Sequence, residues 1–315
     1  MEMKQETTPQ EGSSILLCVA TEKGYAVLRA VHGACLGLPL RVSTFREVKV
    51  VKGYDETIRA YAEENHLPFH SWQEIRQGGL NWLQEKKIWG MLCVGWRYMV
   101  PREMVDFLGG RVLATHDSLL PRYRGYAPLA SALINGEEEV GVSVLFACEE
   151  VDAGDIVYQG RVSVGPRDRI GDLIRKVVPL FQEGVVQALR KMIDGQLTGV
   201  PQDHAQATFN IWRDEEDLWI NWHESAQRIE RTIRALSPPY MGARTRLSGE
   251  VVVVHDAVIA EDLPFEIRQP GKVWRLTEQG QPVVVCGEGM LLIREASIGS
   301  KSLLPLAKLR TRFGK

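Results

Sequence analysis

Short, almost wholly apolar runs alternate with amphipathic stretches through the first two thirds of this chain. The run S-S-I-L-L-C-V-A from Ser13 to Ala20 has the character of a strand buried on both faces. Tyr25, Val27, Leu28 and Val31 follow at helical spacing. Residues 40–45 alternate as a second strand, and residues 55–65 and 71–85 read as helices. I-W-G-M-L-C-V-G-W, residues 88–96, predicts a central strand, and residues 110–115 predict another. Strands alternating with helices imply a mostly parallel, Rossmann-like sheet covered on both faces, with ligands at the carboxyl ends of its strands. Gly95-Trp96-Arg97-Tyr98 and His116 fall at such ends.

Beyond this point the rhythm changes. G-V-S-V-L-F-A and D-I-V-Y-Q-G-R-V-S-V form an expected antiparallel pair flanking C-E-E-V-D-A-G. Residues 168–193 make a long amphipathic helix that Pro179 is expected to break. The polar stretch 195–207 reads as a linker, and 224–236 as a helix stopped by Ser237-Pro238-Pro239. E-V-V-V-V-H, G-K-V-W-R-L, P-V-V-V-C and M-L-L-I-R-E-A are short strands between glycine turns, the pattern of a small, OB-like β-barrel. The expected division is an α/β domain over 1–205 and a helix-plus-barrel domain over 206–315.

With 315 residues, 44% hydrophobic and 25% charged, the composition is that of an ordinary globular protein, and two cores suit this length. No apolar run reaches the roughly 20 residues of a spanning helix, and the polar N-terminal stretch is unlike a signal peptide, so a cytoplasmic location and no membrane partner are expected. The scattered Cys18, Cys35, Cys93, Cys148 and Cys286 read as reduced thiols. His66 and His70 straddle Pro68, and no C-x-x-C occurs, so no metal site is expected. A net charge of −2 gives no bulk field for nucleic acid, although Lys301, Lys308, Arg310, Arg312 and Lys315 gather near the end.

The candidate chemistry lies in T-H-D-S-L-L-P-R-Y-R-G. A lone histidine such as His116 is more often a structural hydrogen-bonding group than a catalyst. In Val151-Asp152-Ala153-Gly154-Asp155 a carboxylate could point beside that histidine, and a turn-forming Asp is the alternative. The ordered set G-W-R-Y-M-V-P (95–101), H-D-S-L-L-P-R-Y-R-G (116–125), A-P-L (127–129), N-G-E (135–137) and V-D-A-G-D-I (151–156) resembles the folate-dependent formyltransferases. W-R-D-E-E-D-L-W-I-N-W and I-R-A-L-S-P-P-Y-M-G-A continue the resemblance toward methionyl-tRNA and amino-sugar members.

That resemblance implies attack by a neutral amine on the formyl carbon of N10-formyltetrahydrofolate, through a tetrahedral oxyanion and without a metal. By position, His116 and Asp152 are the family's catalytic His and Asp. The family's Asn, two residues before the His, is replaced by Ala114, and losing one such donor typically costs about 10²–10³ in rate. His116 could act with Thr115, Asp117 or a backbone N–H, a donor could come from elsewhere, or the chain could be a noncatalytic folate-binding relative. Arg97, Tyr98, Met99, Val151 and Ala153 are the implied folate-binding residues, with core packing as the alternative for Met99. Ser118, Tyr123, Arg124 and Tyr240 are the substrate-side candidates; for Arg124 bracing of the loop, and for Tyr240 a helix stop, are the alternatives. The slightly acidic charge, the absence of a basic stripe on the last strands and Ala114 favour a UDP- or dTDP-linked amino sugar over methionyl-tRNA as acceptor. A homodimer is compatible with such a chain.

Overall fold

The computed structural model describes residues 8–47 and 52–314; Lys315 of the basic tail and the first seven residues of the polar N-terminal stretch lie outside them. The order in the first part is β1 (Ser14–Val19), α1 (Thr21–Gly33), β2 (Leu40–Ser43), α2 (Asp55–Glu64), α3 (Trp72–Glu85), β3 (Ile88–Val94), α4 (Arg102–Phe107), β4 (Val112–His116), β5 (Arg124–Gly125), α5 (Pro128–Asn135), β6 (Glu139–Phe146), β7 (Ile156–Ser163), α6 (Ile170–Ile193) and β8 (Phe209–Asn210). The main sheet runs β2-β1-β3-β4-β6-β7, parallel through β4 and antiparallel beyond it. All of β1 and β3 is buried, as their unbroken apolar runs require. Odd and even positions feed different cores: Ile15, Leu17 and Val19 meet α1, α2, α5 and α6, whereas Leu16 and Cys18 meet α3 and α4.

α6 does not break at Pro179; it runs unbroken over 24 residues. Pro179 stands on the exposed face, where the carbonyl it leaves without a partner can be hydrated. The short β5–β8 ladder also lies beyond the sequence pattern, and it draws the linker back against the loop after His116.

The second part contains α7 (Ala226–Ala235), β9 (Ala243–Leu247), β10 (Glu250–Ala260), β11 (Val273–Leu276), β12 (Pro282–Val285), β13 (Met290–Ile298), β14 (Lys301–Ser302) and β15 (Phe313–Gly314). Its antiparallel sheet curls in the order β11-β12-β13-β10-β9-β15, and a Lys272–Arg312 bridge brings the last strand back to the first. α7 packs its apolar stripe, Ala226, Ile229 and Ile233, into this core. Burial pushes the Cys286 thiol inside it up to about 12, and Cys18 and Cys93 are also buried free thiols, whereas Cys35 is exposed.

A charged cluster joins the two parts. Glu230 of α7, almost fully buried, accepts from Arg234 at 2.9 Å and from Arg167 at 2.6 Å. Arg167 also reaches Asp256 of β10 at 2.6 Å, and Arg234 donates to the Asp168 carbonyl at 2.6 Å. Removing one member of a buried pair leaves the other charge desolvated and unmatched, which costs about 3–5 kcal/mol. Glu230→Leu should therefore lower the thermal midpoint by several degrees, and adding Arg234→Met should recover part of the loss; an unchanged midpoint in scanning calorimetry would show that the cluster does not hold the parts together.

Candidate active site

His116 ends β4, and its ring is buried. Nε2 lies 2.7 Å from the Tyr123 carbonyl, and Nδ1 lies 3.3 Å from Asp152 Oδ2. Both nitrogens thus face oxygen acceptors: a ring with hydrogen on both can donate to each, and a neutral ring to only one. Asp152 sits in the β6–β7 loop at φ 52°, a left-handed conformation that costs a non-glycine residue energy. The same Oδ2 accepts from Gly125 N at 2.8 Å, which fixes the carboxylate between two loops. Gly154 permits the tight return, because a Cβ there would fall 1.8 Å from the Phe146 carbonyl oxygen.

The linker completes this arrangement. Gln202 is buried and donates through Nε2 to the carbonyls of Asp152 (2.8 Å) and Gly154 (2.7 Å). Its Oε1 accepts from Arg124 Nη2 at 2.6 Å. Arg124, expected on the substrate side, is buried and braces the Asp152 loop instead. Two other substrate-side candidates also turn inward. Ser118 Oγ donates to the Arg122 carbonyl at 2.7 Å, and the Tyr123 hydroxyl donates to Glu137 at 2.6 Å. The motif's side chains fold on themselves because the loop must satisfy its own backbone.

On the α3 side of the sheet, Phe45, Trp72, Trp96 and Tyr98 form a ring cluster, with Phe45–Trp96 centroids at 5.1 Å and Trp72–Trp96 at 5.3 Å. Ala114 packs against the same core as Trp96, Tyr98 and Ala147, with no side-chain donor where the resemblance expects one. Arg97 lies over Phe45 at 4.4 Å and donates to the Tyr98 hydroxyl at 2.9 Å. Met99 and Val151 are exposed, and Ala153 is buried. An open cavity of about 550 Å³ beside these rings is lined by Thr44, Phe45, Trp72, Gln73 and Tyr98. Trp72 Nε1, Trp96 Nε1, Ser43 Oγ and Thr44 Oγ1 are buried without a hydrogen-bond partner among the described residues. Aromatic faces with orphaned polar atoms at strand ends fit a flat, heteroatom-rich ring such as a pterin.

On the α1 side, Asp117 is ion-paired with Lys23. Tyr240 of the second part stands in their electrostatic reach, and Arg213, just beyond the linker, stands in that of Tyr240; burial pushes the Tyr240 hydroxyl up, and the Lys23 ammonium works against that shift. Desolvation holds Arg213 below its usual value, and it donates to Ser131 Oγ at 3.0 Å. Glu47 is raised chiefly by burial and accepts from Tyr54 N at 2.9 Å. Of the four substrate-side candidates, Tyr240 is the one contributed by the second part, within electrostatic reach of Lys23 and Asp117. Lys23, Glu47 and Gln202 carry no motif signal, because each reaches the site only through folding of distant segments; Arg213 lies in the W-R-D-E-E-D-L-W-I-N-W stretch, which does not by itself single it out.

Residues 54–189 match the formyl transferase family, and residues 213–313 match the formyl transferase C-terminal domain. Methionyl-tRNA formyltransferase of Carboxydothermus hydrogenoformans is 32% identical over 242 residues, covering 76% of each chain. That of Anaeromyxobacter dehalogenans is 33% identical over 237 residues, covering 71% of this chain and 75% of the relative. Among solved structures, the sugar 3N-formyl transferase WlaRD superposes with a TM-score of 0.67 at 14% identity, covering 93% of this chain and all of that one. HypX from Aquifex aeolicus, solved with tetrahydrofolic acid, gives 0.61 at 18% identity over 93% of this chain and 45% of its own.

Gln202 offers a test of the brace. Gln202→Leu would leave the Arg124 guanidinium and two loop carbonyls without their buried partner, a loss of about 2–4 kcal/mol. Denaturant unfolding should show a lowered midpoint with an unchanged slope. A midpoint equal to the parent's would mean the linker contributes nothing there.

Proposed function

Because the chain belongs to the formyl transferase family, we propose that it moves a formyl group from N10-formyltetrahydrofolate to the amino group of a UDP- or dTDP-linked amino sugar, with His116 and Asp152 as its catalytic pair. The carrier supplies the activated formyl group. The acceptor nitrogen forms the new C–N bond and gives up a proton, while the bond from the formyl carbon to N10 breaks and N10 gains one. His116 is the group able to move that proton and to oppose charge growing on the formyl oxygen, and Asp152, 3.3 Å from Nδ1, holds the ring's orientation. To reach substrate, Nε2 exchanges its contact with the Tyr123 carbonyl for one with the reacting atoms. The carrier's ring would be held by the Phe45, Trp72, Trp96 and Tyr98 cluster, with Arg97, Met99, Val151 and Ala153 around it.

The observation that carries the acceptor assignment is electrostatic. A tRNA is bound through many phosphate contacts, which need a broad excess of basic side chains. An open cavity of about 870 Å³, lined by residues of α5, the stretch after the linker and the last strand, sets Arg213, Arg228 and Arg312 against Glu216, Asp217 and Glu224. That balance suits a small acceptor better than a polyanion. The name carried by the sequence relatives, together with Lys301, Lys308, Arg310 and Arg312, supports methionyl-tRNA as the second reading. Ala114 supports a noncatalytic folate-binding protein as the third.

Incubation with N10-formyltetrahydrofolate and a panel of UDP- and dTDP-amino sugars plus methionyl-tRNA should yield a formylated sugar by mass. Transfer to the tRNA alone would replace the first reading with the second, and no transfer to any acceptor would favour the third. With the acceptor identified, His116→Asn and Asp152→Ala should each reduce kcat by about 10²–10⁴ without loss of folded structure. Near-parental rates in either variant would place the chemistry elsewhere.

A further inference from the structure

The α1 side of the sheet carries a second aromatic groove that the chemistry above does not use. It lies between α1, α2 and α6, has a volume of about 680 Å³, and begins at Glu22, next to the Lys23 that pairs with Asp117. Three half-buried tyrosines wall it: Tyr25 and Tyr54 have ring centroids 6.1 Å apart, and Tyr25 and Tyr61 meet edge-on at 5.9 Å. Arg29 stands 5.8 Å from the Tyr25 ring and Lys52 stands 5.2 Å from the Tyr54 ring. Among the described residues, no carboxylate lies within ion-pair distance of Arg29 or Lys52.

Resting on the amino-sugar reading, we propose that this groove binds the nucleoside diphosphate of the acceptor, the base against the tyrosines and the phosphates at Arg29 and Lys52. Tyrosine faces give a planar base a sequence-tolerant stacking surface, and cations beside them that no described carboxylate pairs with select a ligand that joins a ring to an anion, with Glu22 the one carboxylate in the groove's lining. Reach agrees with this. From Glu22 to Arg29, α1 advances about 10 Å at 1.5 Å per residue, the scale of a diphosphate with one hexose attached. The sugar amine is then delivered to Lys23–Asp117, one residue from His116.

The two faces of the sheet separate the two substrates. Asp117 points to α1, whereas Ala114, the orphaned indole donors and the Phe45 cluster belong to the α3 side. In the parallel part of the sheet the chain leaves β1 toward β2 on one side and β3 lies on the other, and open α/β sheets bind ligands at such a reversal of strand order.

Calorimetric titration of the full chain with UDP and dTDP, neither carrying an amino sugar, tests the groove without turnover. The parent should bind at least one of them. Tyr54→Ala and the double variant Arg29→Gln/Lys52→Gln should each weaken that binding about tenfold or more while tetrahydrofolate affinity and the thermal midpoint stay at parental values. In turnover, the same variants should raise the acceptor KM and leave kcat unchanged. No binding of either nucleotide to the parent, equal nucleotide affinity in the variants, or loss of folate affinity instead would overturn the proposal. The acceptor assignment fails separately: nucleotide binding lost in the variants with no sugar formylated sinks that assignment alone, and a formylated sugar with unaltered variants sinks the groove alone.

Discussion

One carboxylate oxygen joins the pieces of this site. Asp152 Oδ2 faces His116 Nδ1 and accepts the N–H of Gly125, so a single charge ties the β6–β7 loop to the loop after β4. The price is a left-handed Asp152 backbone, and the surroundings over-determine it. Gln202 holds the carbonyls of residues 152 and 154, Arg124 holds Gln202, and the β5–β8 ladder returns the linker to within reach. Cutting any of these contacts loosens the others, which is why a residue thirty-six positions after His116 can keep a fixed relation to it.

The elements of the first part were legible in the sequence where burial alone decides them. β1 and β3 are buried at every position, and a run without alternation announces that directly. Pro179 was misleading because a proline rule is local, whereas α6 is held by ten buried residues on the face opposite that proline. The antiparallel β6–β7 pair is legible in its two strand-like runs and the curled second sheet in short strands and glycine turns, whereas the antiparallel pairing of β6 with β4 has no signal of its own. β5 and β8, two residues each, carry no periodicity to read.

The site was legible in part. His116 and Asp152 stand together as their motifs imply, and the polar residues between them are engaged within the loop. A loop crowded with Ser118, Tyr123 and Arg124 offers polar side chains both to ligands and to its own buried backbone, and residue type does not say which. Here the backbone and its neighbours take them: the Arg122 carbonyl, Glu137 and Gln202 are their partners. Gln202 went unseen for the converse reason, since a polar, proline-containing stretch reads as a tether until a buried guanidinium requires an acceptor. Lys23 sits in an ordinary helix start, and its meaning comes wholly from Asp117 opposite.

The sheet itself explains how one strand end can serve two partners. Neighbouring residues on a strand point to opposite faces, so His116 and Asp117 address different cores although they adjoin in sequence. His116 shares its face with Ala114 and the Phe45–Trp72–Trp96–Tyr98 rings, and Asp117 turns to Lys23 and α1. An enzyme that joins two substrates needs them close at one point and apart elsewhere, and a strand end supplies that geometry without a separate device. It also gives the alanine at 114 a physical meaning. With no polar side chain there, the α3 side gains room and apolar surface beside the indoles, whose Trp72 Nε1 and Trp96 Nε1 the fold buries without partners among the described residues.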